Sequence, residues 1–465
     1  VPGWGENSGF RVENAEKAAF SPISWGNRNF RPLNSDEISI GCDQRKTLMP
    51  EYIRHHVDTI LERLKECPDR LIIISGPRQT GKTTLVKQVL HRTTLRSDYF
   101  AIDEPEPGVP VFPDVAAEPV IRPADGRDRG WLVRTWEAAR RKAGESDQGF
   151  VLVLDEIQKI SQWSDTVKGL WDADRAAGTP LHVVILGSVP LPMQQGLTES
   201  LAGRFELIRV SHWSFIEMAH AFDFDLGSYL YFGGYPGAAR LVSDQPRWRD
   251  YIRASLIEPV VDRDILAMTR VDKPALLRRT FELGSSYSGQ VFSYNRMLGQ
   301  MQDAGNTTTL ARYLGLLAES GLLIGLSKYA GQQHRRKTSS PKLNVLNTAF
   351  MSVDSGYSFD EAQADRTFWG RLVESAVGAH LCNTGMPDIR VYYWRLSPHE
   401  VDFVLEFGHR LIGIEVKSGS RRGQSRGLEV FQKNFKPEHV MLVGQQGTPL
   451  EEFLRRPAVD WFNRT

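Results

Sequence analysis

The stretch Gly76-Pro77-Arg78-Gln79-Thr80-Gly81-Lys82-Thr83 places glycines at both ends of a short loop and closes on a lysine and a hydroxyl. Glycines at 76 and 81 let the backbone turn its N–H groups onto an anion, and the helix expected from Thr84 to Leu90 adds its positive N-terminus. Lys82 then neutralises β/γ-phosphate charge and Thr83 ligates magnesium, so residues 76 to 84 are expected to bind ATP. Asp155-Glu156 is the complementary feature. It ends the apolar run Phe150-Val151-Leu152-Val153-Leu154, where an acidic pair costs much desolvation unless it serves a cation or a reaction. Asp155 fits magnesium and Glu156 fits activation of the attacking water. Ser188, in Leu186-Gly187-Ser188, is expected to hydrogen-bond the γ-phosphate or the water, although a bland strand-ending turn has the same composition. Arg204 is the candidate arginine finger, acting from a neighbouring subunit, with Arg209 as its replacement.

A second constellation lies near the C-terminus. Glu415 and Lys417, two apart in Ile414-Glu415-Val416-Lys417, point to one face of a strand beside Asp402 on the preceding strand of an expected hairpin. Two carboxylates and a lysine suit metal-assisted phosphodiester cleavage, the carboxylates holding magnesium and the lysine orienting water or stabilising negative charge. A salt-bridged surface ladder would show the same pattern. The arrangement resembles the restriction-endonuclease-like nuclease fold, and that resemblance implies a further acidic metal ligand at Glu374 on the preceding helix. Between His409 and Lys436 seven lysines and arginines face two acids, an excess suited to a DNA backbone or to a flexible solvated turn.

These side chains need elements to hold them. Short runs at Leu71-Ile72-Ile73-Ile74, Phe150 to Leu154 and Val183-Val184-Ile185-Leu186, separated by helical patterns, read as buried parallel strands of an α/β sheet. Glu104 to Asp128, loaded with prolines and charges, interrupts this order as a surface excursion. Leu310, Tyr313, Leu314 and Leu317 share one helical face, and Gly321 ends that helix. A strand from Leu322, the basic loop His334-Arg335-Arg336-Lys337 and a strand near Leu343 follow, an order that suits a winged helix and a second DNA or protein contact. A helix around Glu374 and strands at Val391 to Trp394, Val401 to Leu405 and Leu411 to Val416 complete a third, α/β unit.

With 465 residues, two or three domains are expected. Lysine plus arginine number 57 against 56 acids, so net charge favours neither a nucleic-acid nor a membrane partner. Cys42, Cys67 and Cys382 lie too far apart for a zinc site, and no apolar run approaches a membrane span. A reducing, cytoplasmic location is expected.

The series from the 76–83 loop through Asp155-Glu156-Ile157-Gln158-Lys159-Ile160 with Trp163, Gly187-Ser188, Gly203-Arg204 and Gly233-Gly234-Tyr235-Pro236 resembles an AAA-type ATPase family of bacteria and archaea with an extra C-terminal domain. It covers about residues 50 to 460. Two departures are Leu186, where a threonine is usual, and the length of the proline-rich excursion. The resemblance implies homo-oligomers with composite ATP sites. The expected organisation is an N-terminal arm at 1–45, a P-loop AAA-type ATPase domain at 46–225, a helical, winged-helix-like domain at 226–350 and an α/β restriction-endonuclease-like domain at 351–465. Three functions suit it: an ATPase acting on DNA with a magnesium nuclease site, an ATP-driven switch whose last domain binds DNA or a protein without cutting, or an ATPase whose last domain is a purely structural oligomerisation module.

Overall fold

A computed structural model describes residues 52–103, 127–187, 200–268, 271–301, 306–331, 339–417 and 426–463. The arm, most of the proline-rich excursion, Ser188, the loop His334 to Lys337 and residues 418–425 lie outside these. Residues from 51 onward form one compact unit.

Its first layer is a five-stranded, all-parallel sheet in the order β2-β3-β4-β1-β5. The strands are β1 (Leu71–Ser75), β2 (Arg96–Ala101), β3 (Phe150–Asp155), β4 (Leu181–Gly187) and β5 (Phe205–Arg209). Side chains alternate across a strand, so an apolar run feeds two cores at once. Leu71, Ile73, Leu152 and Leu154 meet Trp136 and Trp171 from the helices Arg129–Gly144 and Trp163–Ala177. Ile72, Ile74, Val151 and Val153 meet Val57, Ile60, Leu85 and Val89 from the helices His56–Arg63 and Lys82–Leu90 on the other face. The central strands β1, β3 and β4 are buried along their whole length, whereas the edges β2 and β5 carry polar residues.

The middle segment is helical. Pro274–Ser286, Tyr294–Gly299 and Thr307–Glu319 precede β6 (Leu323–Leu326), which pairs antiparallel with β7 (Lys342–Val345). Leu310, Tyr313, Leu314 and Leu317 are buried on one face of Thr307–Glu319, and Gly321 follows it at φ 76°. Two π-helical turns, Ile252–Ile257 and Val260–Asp264, lie upstream.

A four-stranded sheet, order β11-β10-β9-β8, ends the chain: β8 (Ile389–Leu396), β9 (His399–Phe407), β10 (Arg410–Lys417) and β11 (His439–Gly444). β8, β9 and β10 form an antiparallel meander, and β11 joins β10 in parallel after the helix Arg426–Phe435. That helix packs Leu428 and Phe431 on Val401 and Val404. The opposite face meets the helix Arg366–Thr384 through Phe403, Leu405, Ile412 and Leu372. This core continues without a break into the middle segment through Phe281, Leu317, Val345 and Phe350, so packing does not stop at the boundary expected near residue 350.

Candidate functional site

The phosphate loop leaves the C-terminal end of β1, where ligands meet open α/β sheets. Its backbone takes a shape that glycine makes possible: a Cβ on Gly76 would lie 1.9 Å from the Val210 carbonyl oxygen, and Gly81 sits at φ 88°. The shape is braced from outside. The Thr80 carbonyl accepts from Trp213 Nε1 (2.9 Å) and from the Arg54 guanidinium (3.2 Å), which is itself held by Glu217 at 2.7 Å in a buried ion pair. Arg78 forks onto Asp264, with one bond of 2.7 Å, and Gln79 accepts from the Tyr251 hydroxyl. Through these contacts Tyr251, which ends the helix Gln245–Tyr251, and Asp264, which ends the second π-helical turn, grip the loop.

Lys82 Nζ donates to the carbonyls of Gly76 (3.0 Å) and Pro77 (2.7 Å), inside the turn where phosphate oxygens would be received. Burial lowers its pKa to about 8, against the opposing pull of Glu156 and Asp155. Thr83 Oγ1 donates to Asp155 Oδ2 at 2.8 Å, and the Tyr99 hydroxyl donates to the same oxygen at 2.7 Å. The oxygens of Thr83, in the first turn of the helix Lys82–Leu90, and of Asp155, at the end of β3, lie side by side and suit magnesium, a hard cation bound through oxygen. Glu156 follows in a left-handed conformation, φ 58°, and accepts from Gln158 Nε2 at 2.6 Å. The residues from Gly76 to Thr84 and the pair Asp155-Glu156 are thus brought together, and they fit ATP with magnesium.

Arg204 is placed elsewhere. Its carbonyl accepts from the Leu71 amide at the start of β1 (2.9 Å), roughly 16 Å along the strand from the loop. Its guanidinium forks onto Asp172 at 2.7 and 3.0 Å. It therefore cannot reach the phosphate loop of its own chain. The carbonyl of Arg209, its replacement candidate, bonds His56 at 3.1 Å. In Gly233-Gly234-Tyr235-Pro236 the glycines admit Asn347 and the Trp213 backbone, and Tyr235 stacks edge-on against His212.

The C-terminal residues also converge. Glu374, Asp402, Glu415 and Lys417 line one pocket of about 570 Å³, together with Glu400, Arg395 and Arg296. Glu415 and Lys417 are ion-paired at 2.5 Å. Asp402 accepts the Val416 amide at 2.8 Å. Lys342, the first residue of β7 and fully buried, sets its Nζ 2.5 Å from Glu374 and 3.3 Å from Asp402. Burial and Asp402 push Glu374 up to about 7 in spite of Lys342. Burial opposes the charge of Lys342, but Asp402 and Glu374 hold its pKa above the ordinary lysine value. Among the described residues no three His, Cys, Asp or Glu side chains form a group that could hold a metal ion.

Sequence reasoning missed Arg54, Trp213 and Asp264, whose partners are distant in the chain, and it missed Tyr99. It also missed Lys342. The available signal there was a lysine opening the short, largely apolar strand Leu343-Asn344-Val345-Leu346.

Residues 68–219 match a family model described as an AAA domain. Residues 223–357 and 369–457 match two models, each described as a domain of unknown function. The uncharacterized protein Rv2008c of Mycobacterium tuberculosis is 24% identical over 392 residues, 82% of this chain and 78% of that protein. Mb2031c of Mycobacterium bovis matches to the same extent, 24% over 392 residues. Among solved structures, the Walker-type ATPase PABY2304 of Pyrococcus abyssi is 14% identical with a TM-score of 0.41, over 66% of this chain and 96% of that one. The Orc1 protein of Aeropyrum pernix, in complex with DNA, is 13% identical with a TM-score of 0.27, over 70% and 95%. The all-parallel sheet and the loop that follows β1 lie within the residues similar to that AAA domain. No described helix is long and apolar enough to cross a membrane.

Proposed function

We propose that this chain hydrolyses ATP at sites shared between copies of itself and uses the cycle to act on DNA through its C-terminal unit. The observation that carries the first half is the 2.8 Å bond joining Thr83 of the phosphate loop to Asp155, with Glu156 next in the chain. Magnesium, when bound with ATP, neutralises charge on the β/γ-phosphate oxygens. Thr83 and Asp155 would hold it. Lys82 exchanges its bonds to Gly76 and Pro77 for phosphate oxygens, and Glu156 accepts the proton of the attacking water. The distance of Arg204 from its own loop supports a finger delivered by a second copy. Mixing Lys82→Ala chains with Arg204→Ala chains should partly restore hydrolysis; a mixture as inactive as its components would argue against the shared site.

DNA is favoured by the C-terminal architecture. A helix, three strands, a helix and a fourth strand, with Glu374, Asp402, Glu415 and Lys417 on one pocket, support a restriction-endonuclease-like unit. Three helices followed by the β6–β7 ribbon support a winged-helix-like middle domain. With magnesium, ATP and DNA, cleavage lost in Asp402→Ala and Lys417→Ala would establish the nuclease. Lys342 favours a second reading, in which the pocket recognises DNA or a protein without cutting; binding without cleavage would bear this out.

A further inference from the structure

The carboxylates that a metal-dependent nuclease would use are already engaged. Lys342 Nζ lies 2.5 Å from Glu374 Oε1, 3.3 Å from Asp402 Oδ1 and 3.1 Å from the Asp402 main-chain oxygen. It stands 4.7 Å from the centre of the Phe403 ring, a further contact suited to a cation. The second oxygen of Asp402 accepts from the Val416 amide at 2.8 Å, and Glu415 is paired with Lys417 at 2.5 Å. Magnesium demands oxygen ligands at about 2.0–2.1 Å. An ion bridging Glu374 and Asp402 would have to enter the space the ammonium occupies, and two cations so close in a buried setting repel strongly.

Lys342 is not a surface lysine folded inward by chance. Its side chain is completely buried, and a buried ammonium persists only where carboxylates and hydrogen bonds repay its desolvation. The strand that carries it is fixed on both sides. β6 pairs with it, and the Asn344 side chain donates to the Ser375 carbonyl at 3.1 Å, one residue beyond Glu374. The ammonium therefore comes from the middle segment, into a pocket whose carboxylates belong to the C-terminal one.

We propose that Lys342 is a built-in cation that takes the place of a metal ion between Glu374 and Asp402, making the C-terminal pocket a metal-free recognition site. The inference deepens the non-cleaving reading and rests on it for the purpose of the pocket. It assigns Lys342 a positioning role: the ammonium neutralises Glu374 and Asp402, while Lys417 and Arg395 stand on the same pocket wall paired with Glu415 (2.5 Å) and Glu400 (3.6 Å), charges that a polar partner would meet in place of a metal.

The test is manganese binding, followed by electron paramagnetic resonance on the nucleotide-free full chain, in an Asp155→Asn background that removes the phosphate-loop ligand. That background chain should hold no manganese that depends on Asp402, so adding Asp402→Asn should leave the spectrum unchanged. Lys342→Met, which keeps the stem and removes the charge, should gain one bound manganese per chain, lost again when Asp402→Asn is added. Manganese bound without Lys342→Met and released by Asp402→Asn would overturn the inference, and so would a folded Lys342→Met chain that gains none. If Lys342→Met fails to fold, the Asp402→Asn comparison still decides. A chain that binds DNA, cuts none and yet holds manganese at Asp402 would sink the ammonium while sparing the non-cleaving reading.

Discussion

Thr83 and Asp155 are 72 positions apart, yet a single bond joins the residue expected to ligate magnesium to the one expected to share it. Around them the loop depends on residues that touch no phosphate. Arg54 holds the Thr80 carbonyl while Glu217 holds Arg54, and both are nearly inaccessible. Removing one member of such a pair leaves the other charge buried without its partner, at about 3–5 kcal/mol. Arg54→Met should therefore lower unfolding free energy by about that amount in a denaturant titration and weaken ATP binding as well. A variant that loses neither would show that the brace is dispensable. Lys342 illustrates the limit of reading residues singly. A lysine before Leu343-Asn344-Val345 looks like the polar entry to a strand, and only a carboxylate 60 positions onward reveals its charge as internal.

At the scale of elements, legibility followed burial. β1, β3 and β4 are apolar on both faces because helices cover both, so their runs stand out in the sequence. β2 begins Arg96-Ser97-Asp98 and β5 contains Glu206, because edge strands meet water, and neither shows such a run. The Asp402, Glu415 and Lys417 grouping was legible because strand alternation fixes which residues share a face. The engagement of Asp402 by Lys342 and by the Val416 amide was not, since it depends on the register of β9 with β10 and on a strand from the middle segment. Elements also carry buried histidines. Burial lowers His182, His212 and His380 to about 4 and His56 to about 3. The folded chain keeps them neutral where the unfolded chain, near pH 6.5, binds protons. Stability is thus intact above about pH 6.5 and falls as pH drops toward 4, by up to ~1.4 kcal/mol per unit for each histidine. Denaturant titrations at intervals from pH 7.5 to 4.5 should show this decline, and His212→Gln should make it shallower. A flat profile would contradict the burial.

Across the whole molecule, the phosphate loop is not confined to its own sheet. Gly321, after the last helix of the middle segment, lies so close to Pro77 that a Cβ would fall 2.3 Å from Pro77 Cγ, and its carbonyl meets His212 at 2.7 Å. From there the chain enters β6, β6 pairs with β7, and β7 places Lys342 against Glu374 and Asp402. This path of contacts joins the candidate ATP site to the C-terminal pocket through one packed core. Gly321→Ala, strained at φ 76° and colliding with Pro77, should cost about 1–2 kcal/mol of stability. It should also weaken ATP affinity, as isothermal calorimetry can record; unchanged affinity in a folded variant would cut the path at its first step. Hydrolysis is proposed at the site built from Lys82, Thr83, Asp155 and Glu156. Phosphate release by the purified chain, compared with Glu156→Gln, tests it most directly. Turnover is expected in the parent, with a loss of roughly 100-fold or more in Glu156→Gln and ATP retained on the variant. Equal turnover by the two proteins would contradict it.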